Sequence, residues 1–226
     1  MTFPKIMTAT AFLWLTACGG GGGGIEGPAP LPTPTAPAPG IVGDGRLPEL
    51  LEWARASQNA PALAVVVVRR GQIAELGAVG LRSANNSIQV TTADRWQIGS
   101  MTKAMTATLA AILVEDGLIS WDTTPVEVWP ELTSSVHPGF RNATLRQFLS
   151  HSAGMKRDDE YGPAENSAPG SLMEKRRAWS GHLLARAPEF TPGTWNYSNV
   201  GYMVAGAMLE TRAAMSYETA LTTRVF

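Results

Sequence analysis

Cysteine occurs once in this 226-residue chain and histidine three times. No group of histidine, cysteine and carboxylate stands at ligand spacing, so no metal centre is implied. There is no basic excess either: eighteen Lys and Arg stand against nineteen Asp and Glu, a net charge of −1. That excludes the electrostatic footprint of a nucleic-acid binder. No apolar run reaches the roughly 20 residues that a bilayer-spanning helix needs. What remains is ordinary apolar content in a length sufficient for one sizeable domain.

The N-terminal stretch is built for export. One positive residue, Lys5, precedes the uncharged run Ile6 to Ala17, the pattern of a secretory signal. Leu15-Thr16-Ala17-Cys18 resembles the lipobox of bacterial lipoproteins, in which cleavage precedes an acylated cysteine. A single cysteine in an exported protein asks for a use, and Cys18 is therefore expected to be the lipidation site. The expected location is the bacterial cell envelope, lipid-anchored and facing the periplasm. Gly19, standing where many such proteins carry a retention aspartate, points to the outer rather than the inner membrane. An ordinary signal peptide on a secreted product is the alternative. Residues 19–45, six glycines followed by Pro-Ala alternation, read as a tether between residues 1–18 and a folded part that spans 46–226.

Leu47 to Ala60 carries Leu50, Leu51, Trp53 and Ala54 at helical spacing and stops before Pro61. Val65 to Val68 is a β-branched run of the kind found in strands buried on both faces, and Arg70-Gly71 turns the chain into Gln72 to Leu81. These segments predict a hairpin.

The chain is organised around Asp94 to Gly117. Gly99 supplies a sharp turn, and a helix beginning at Ser100 and ending at Gly117 is expected. No charge lies between Lys103 and Glu115, which predicts a helix buried on nearly every face. Lys103 enters this core as a lone cation, where desolvation and the positive helix end both act against its charge. Ser100 and Lys103 share one helical face, so the amine can reach the hydroxyl and activate it as a nucleophile. The four-residue spacing alone is weak, since serine and lysine recur by chance; its place at the start of an uncharged helix gives it weight.

Downstream, Leu118 to Leu132 is expected to wrap this helix. Asn142 or Thr144 caps a short helix carrying Leu145, Phe148 and Leu149 on one face, and His151 closes it in a structural hydrogen-bonding role. Asp158, Asp159 and Glu160 read as a solvated acidic loop. Ser171 to Ala187 predicts an amphipathic helix with Leu172, Trp179 and Leu183 inward and Lys175, Arg176 and Arg177 as surface charge. In Pro192 to Glu210, Tyr197 and Asn199 can point into one cleft; taken alone, they are better explained by a capped helix start, with Asn199 as N-cap and Tyr197 packed beside it.

Taken in order, Ser100-x-x-Lys103, Leu149-Ser-His-Ser-Ala-Gly154 and Pro192-Gly-x-x-x-Tyr197-Ser-Asn199 resemble the serine β-lactamase and penicillin-binding protein superfamily. The similarity is to its class C-like branch, which includes D-alanyl-D-alanine carboxypeptidases, D-aminopeptidases and carboxylesterases. It implies a β-lactamase/transpeptidase-like fold, an α/β antiparallel sheet flanked by helices together with an all-α domain. It further implies Ser100 as the acylated nucleophile, Lys103 as its base partner and Tyr197 as the phenol or phenolate that moves protons. Asn199 would bind substrate and help fix Lys103. No metal or organic cofactor is implied; the partners would be a small-molecule or peptide substrate and, through the lipid anchor, a membrane. The superfamily's third motif, Lys/His-Thr/Ser-Gly on a late strand, has no match, so residues 46–226 are expected to be an N-terminal portion, truncated before the C-terminal strands. The expected function is acyl-enzyme hydrolysis of a β-lactam, a D-amino acid peptide or a small ester. A non-catalytic lipoprotein that binds cell-wall peptides is the alternative.

Overall fold

A computed structural model of the chain describes residues 35, 37–38, 40–159 and 169–226. The expected signal segment, Cys18, residues 19–34 of the tether, and Glu160 lie outside the described residues. The chain divides into two compact units, one through Arg95 and one from Trp96 to Phe226.

In the first unit, helix α1 (Leu47–Ser57) starts with a proline in its first turn and stops short of Pro61. Strands β1 (Ala62–Arg69) and β2 (Gln72–Gly80) pair antiparallel, from Ala62 opposite Gly80 to Arg69 opposite Gln72, with a bulge between Val67 and Val68. The Arg70-Gly71 loop has positive φ at both residues, +51° and +75°, which matches the twist of a two-residue hairpin. Helix α1 lies against one face: at Gly77 a β-carbon would come within 2.7 Å of Leu51. The other face is open, with Val66, Val68, Ile73 and Leu76 each about half exposed or more. The expectation that Val65 to Val68 is buried on both faces is therefore corrected: a two-stranded sheet with one covering helix buries one face only.

The second unit is helical. Helix α2 (Thr102–Glu115) is followed by the short helices α3 (Pro125–Val128) and α4 (Leu145–Leu149), then α5 (Leu172–Leu184), α6 (Asn199–Ala213) and α7 (Tyr217–Arg224). Capping explains most starts. Thr124, Thr144 and Ser171 each form a reciprocal box with Glu127, Gln147 and Glu174, and Ser216 accepts from the Thr219 N–H. The core joins Leu109 and Leu113 of α2, Trp129, Phe140, Leu145, Phe148 and Trp179 to the buried residues of α6.

Two expectations about this core are revised. Helix α2 is not buried on nearly every face: Thr106, Leu109, Ala110 and Leu113 are buried, whereas Ala104 and Thr108 are exposed. The enclosed helix is α6, buried almost continuously from Val204 to Glu210, where Ala205, Gly206 and Ala207 allow neighbours to approach closely. The 118–132 segment packs on α6 through Trp129, whose indole N–H donates to Thr211 Oγ1 at 3.0 Å. Helix α5 buries Trp179 and Leu183 as expected, but Leu172 is 59% exposed because the first turn projects beyond the core.

After α4 the chain is pinned by backbone contacts. The Gly154 carbonyl accepts from Glu189 and Phe190, and the Ser152 carbonyl accepts from Gly193. Gly154 has φ +86°, and a β-carbon there would meet the Phe190 carbonyl at 2.6 Å. Gly154→Ala is therefore expected to destabilise the chain by about 1–3 kcal/mol in urea denaturation. A loss below about 0.5 kcal/mol would show that this segment is not held.

Candidate active site

Gly99 adopts φ +51°, a conformation that costs a side-chain-bearing residue energy, and this turns the chain into a 3₁₀ turn over Gly99–Met101. Ser100 thus sits in the tight turn leading into α2 rather than within the α-helix itself. It is exposed, and Lys103, in the first turn of α2, is partly buried. The i,i+3 spacing brings the Lys103 Nζ to 3.2 Å from the Ser100 Oγ. The ammonium does not enter the core as the sequence suggested. It projects into a cleft, with Nζ 4.7 Å from the centre of the Tyr197 ring and 5.4 Å from that of Tyr202.

The second half of the site comes from the start of α6. Ser198, not Asn199, is the N-cap: its hydroxyl accepts from the Gly201 N–H at 2.9 Å and donates to the Lys156 carbonyl at 2.6 Å. This frees the Asn199 side chain, whose Oδ1 accepts from Lys103 Nζ at 2.6 Å. Tyr197, just before the cap, places its Oη 2.6 Å from the Ser100 Oγ. All four residues singled out in the folded part therefore converge, although Ser100 and Tyr197 are separated by 97 positions. The hydroxyl that the sequence marks as a nucleophile touches both a phenol and an amine.

The β-lactamase family model matches residues 47–226. The chain belongs to the β-lactamase family. Among curated proteins it is similar to penicillin-binding protein 4 of Amycolatopsis lactamdurans, 27% identical over 179 residues that cover 79% of this chain and 45% of that protein. Among solved structures it is similar to a class C β-lactamase from Rhodobacter sphaeroides, with TM-score 0.60 and 26% identity over 78% of this chain and 46% of that one. It is also similar to the D-alanine carboxypeptidase AmpC from Burkholderia cenocepacia, with TM-score 0.59 and 26% identity over 76% and 44%. The chain spans less than half the length of each of these relatives. Its fold is β-lactamase/transpeptidase-like, a small antiparallel sheet with helices, and covers part of a domain.

In this β-lactamase-family cleft the electrostatics converge on Tyr197. Burial acts to raise its phenol pKa, but polar contacts with Lys103 and Ser100 and the charges of Lys103 and Arg157 outweigh burial and hold it below the ordinary 10.0. The cleft has a volume of about 480 Å³ and extends from Ser100, Lys103 and Asn199 past Tyr202 to Tyr217 and Glu218.

Sequence reasoning missed three contributors. Asp158 is not merely solvated: its Oδ1 accepts from the Asn199 Nδ2 at 2.5 Å, which turns the amide oxygen towards Lys103. Asp159 is mostly buried and pairs with both Lys156 and Arg186. Arg176 is not surface charge but holds buried Glu210 at 2.5 Å and also pairs with Glu218. A run of like-signed residues carries no mark of which member turns inward, so only tertiary contacts reveal these roles.

Proposed function

We propose that this chain carries the nucleophile half of an acyl-transfer hydrolase acting on a β-lactam, a D-amino acid peptide or a small ester. The observation that supports it most strongly is the short Ser100 Oγ to Tyr197 Oη contact beside the Lys103 amine. In this reading the Ser100 oxygen attacks the acyl carbon, and its proton passes to the Tyr197 phenolate. The carbonyl bond electrons move onto oxygen and return as the leaving group departs, taking the proton from Tyr197. An ester on Ser100 remains. Water then attacks it, giving a proton to the same phenolate, and the released Ser100 oxygen recovers one. Lys103 stabilises the phenolate and the serine oxygen electrostatically, and Asn199 fixes Lys103. The Ser100 N–H, at the start of the turn, supplies one oxyanion donor.

The remaining expectations, lipid anchoring through Cys18 and a periplasm-facing location at the outer membrane, belong to this proposal as the setting in which such a hydrolase would meet cell-wall peptides.

Incubation with a fluorescent penicillin, with a fluorophosphonate and with short-chain p-nitrophenyl esters tests the reading. The expected result is covalent labelling by at least one probe that a competing substrate of the same class slows. A chain that takes no label from either probe and turns over no ester contradicts it.

A further inference from the structure

His151 stands outside the group that touches Ser100, yet it stacks on the Tyr197 ring and bonds the residues on either side of it. Its carbonyl accepts from the Asn196 N–H at 2.8 Å, and its Nδ1 accepts from the Ser198 N–H at 3.1 Å. One residue thus holds the backbone on both sides of Tyr197. Its ring lies 4.5 Å from the Tyr197 ring at 33°, and 5.1 Å from that of Tyr202. Trp195 meets it edge-on at 6.2 Å. His151 is also one of four described non-glycine residues at positive φ, +61°, a conformation tolerated only where the surroundings hold it.

We propose that His151 is a positioning residue for Tyr197, acting as the neutral imidazole protonated on Nε2, which grips the chain before and after the tyrosine and sets the plane of its ring. The inference rests on the acyl-transfer reading for its consequence, since a displaced phenol no longer meets the Ser100 oxygen. A shift of about 1 Å in such a group costs about 10²-fold in rate.

The grip is sensitive to protonation. A proton on Nδ1 would turn the acceptor into a donor facing the Ser198 N–H, and would add a charge beside Lys103 of α2. Among the described residues, the other titratable groups facing the ring region are the Tyr197 and Tyr202 phenols and the Arg157 guanidinium, 5.6 Å over the Tyr197 ring. Burial first, and the Lys103 charge second, hold the imidazole below its ordinary 6.5. The folded value therefore lies below the unfolded one. The interaction is complete above the unfolded value and is lost as the pH falls through the folded value.

Two measurements on the full chain test this. Long-range ¹H–¹⁵N NMR of the imidazoles, with His151 assigned by its loss in H151N, is expected to show the Nε2–H tautomer at neutral pH; an Nδ1–H tautomer overturns the proposal. In fluorophosphonate labelling, H151A is expected to lower the maximal rate about 10²-fold with probe affinity unchanged. In H151N the amide oxygen replaces Nδ1 as acceptor and Asn accepts positive φ, so labelling stays within about threefold of wild type and the acid-side inflection disappears. Labelling of H151A at the wild-type rate, or an unchanged inflection in H151N, overturns it. If H151A does not fold, H151N and the tautomer decide. If the wild-type chain takes no label, the acyl-transfer reading fails separately, and the tautomer alone decides whether His151 holds the Tyr197 segment.

Discussion

Lys103→Met is expected to slow acylation of Ser100 by about 10³-fold, the upper end of the range for loss of one preorganised electrostatic stabiliser. The substitution keeps the length and apolar stem of the side chain and removes two contacts, the 3.2 Å approach to Ser100 Oγ and the 2.6 Å bond to Asn199 Oδ1. It also removes the main influences that keep the Tyr197 phenol below 10.0 against the opposing effect of burial. The sign follows from the phenolate's role as acceptor. In the wild type, acylation rises with pH as the phenol ionises, through a value below 10.0. Without Lys103 that value moves up, so the alkaline rise shifts to higher pH and the neutral rate falls. Labelling rates across the alkaline range, for wild type and Lys103→Met, measure both effects. A variant that labels within about threefold of wild type with an unmoved profile would remove Lys103 from the chemistry.

Glu210→Ala is expected to cost about 3 kcal/mol of stability, at the lower end of the range for breaking a buried ion pair. The Glu210 side chain is 1% exposed; its Oε1 accepts from Arg176 Nη1 and, at 2.8 Å, from the Tyr217 N–H that opens α7. Truncation leaves that N–H without its acceptor and opens a cavity within α6. The cost stays at the lower end because Arg176 keeps Glu218 as a partner and 26% of its side chain in water. Such a loss corresponds to a fall in Tm of roughly 10 °C. The site should feel it too: Tyr217 Oη bonds Thr106 Oγ1 at 2.7 Å, one turn beyond Lys103 on α2. Urea and thermal denaturation read the effect, and a change below about 1 kcal/mol would show that Glu210 is not paired as described.

What could be read from the sequence depended on the range over which each interaction acts. Ser100 and Lys103 were legible because three positions on a helix bring side chains together whatever else the chain does. The hairpin and Thr144, one of two proposed caps, were legible for the same local reason, whereas the cap of α6, read as Asn199, is Ser198, and the helix expected from Ser100 begins at Thr102. Tyr197 and Asn199 came only from the order of motifs, since nothing local says that a loop nearly a hundred residues on returns to Ser100. Arg176, Asp158 and the grip of His151 on Tyr197 were not legible. Each depends on which face of a polar segment turns inward, a matter settled by packing. The same limit explains the exchange of α2 for α6 as the enclosed helix: an uncharged run permits burial, but the neighbours decide how much of it is covered. Val66 and Val68 teach this on a strand, apolar yet exposed on the face that α1 does not cover.

The central claim is that Ser100 is the acylated nucleophile, and intact-protein mass spectrometry after fluorophosphonate treatment tests it most directly. The predicted result is one adduct per chain, located by peptide mapping on Ser100 and absent from Ser100→Ala. An adduct on another residue, or undiminished labelling of Ser100→Ala, would contradict it.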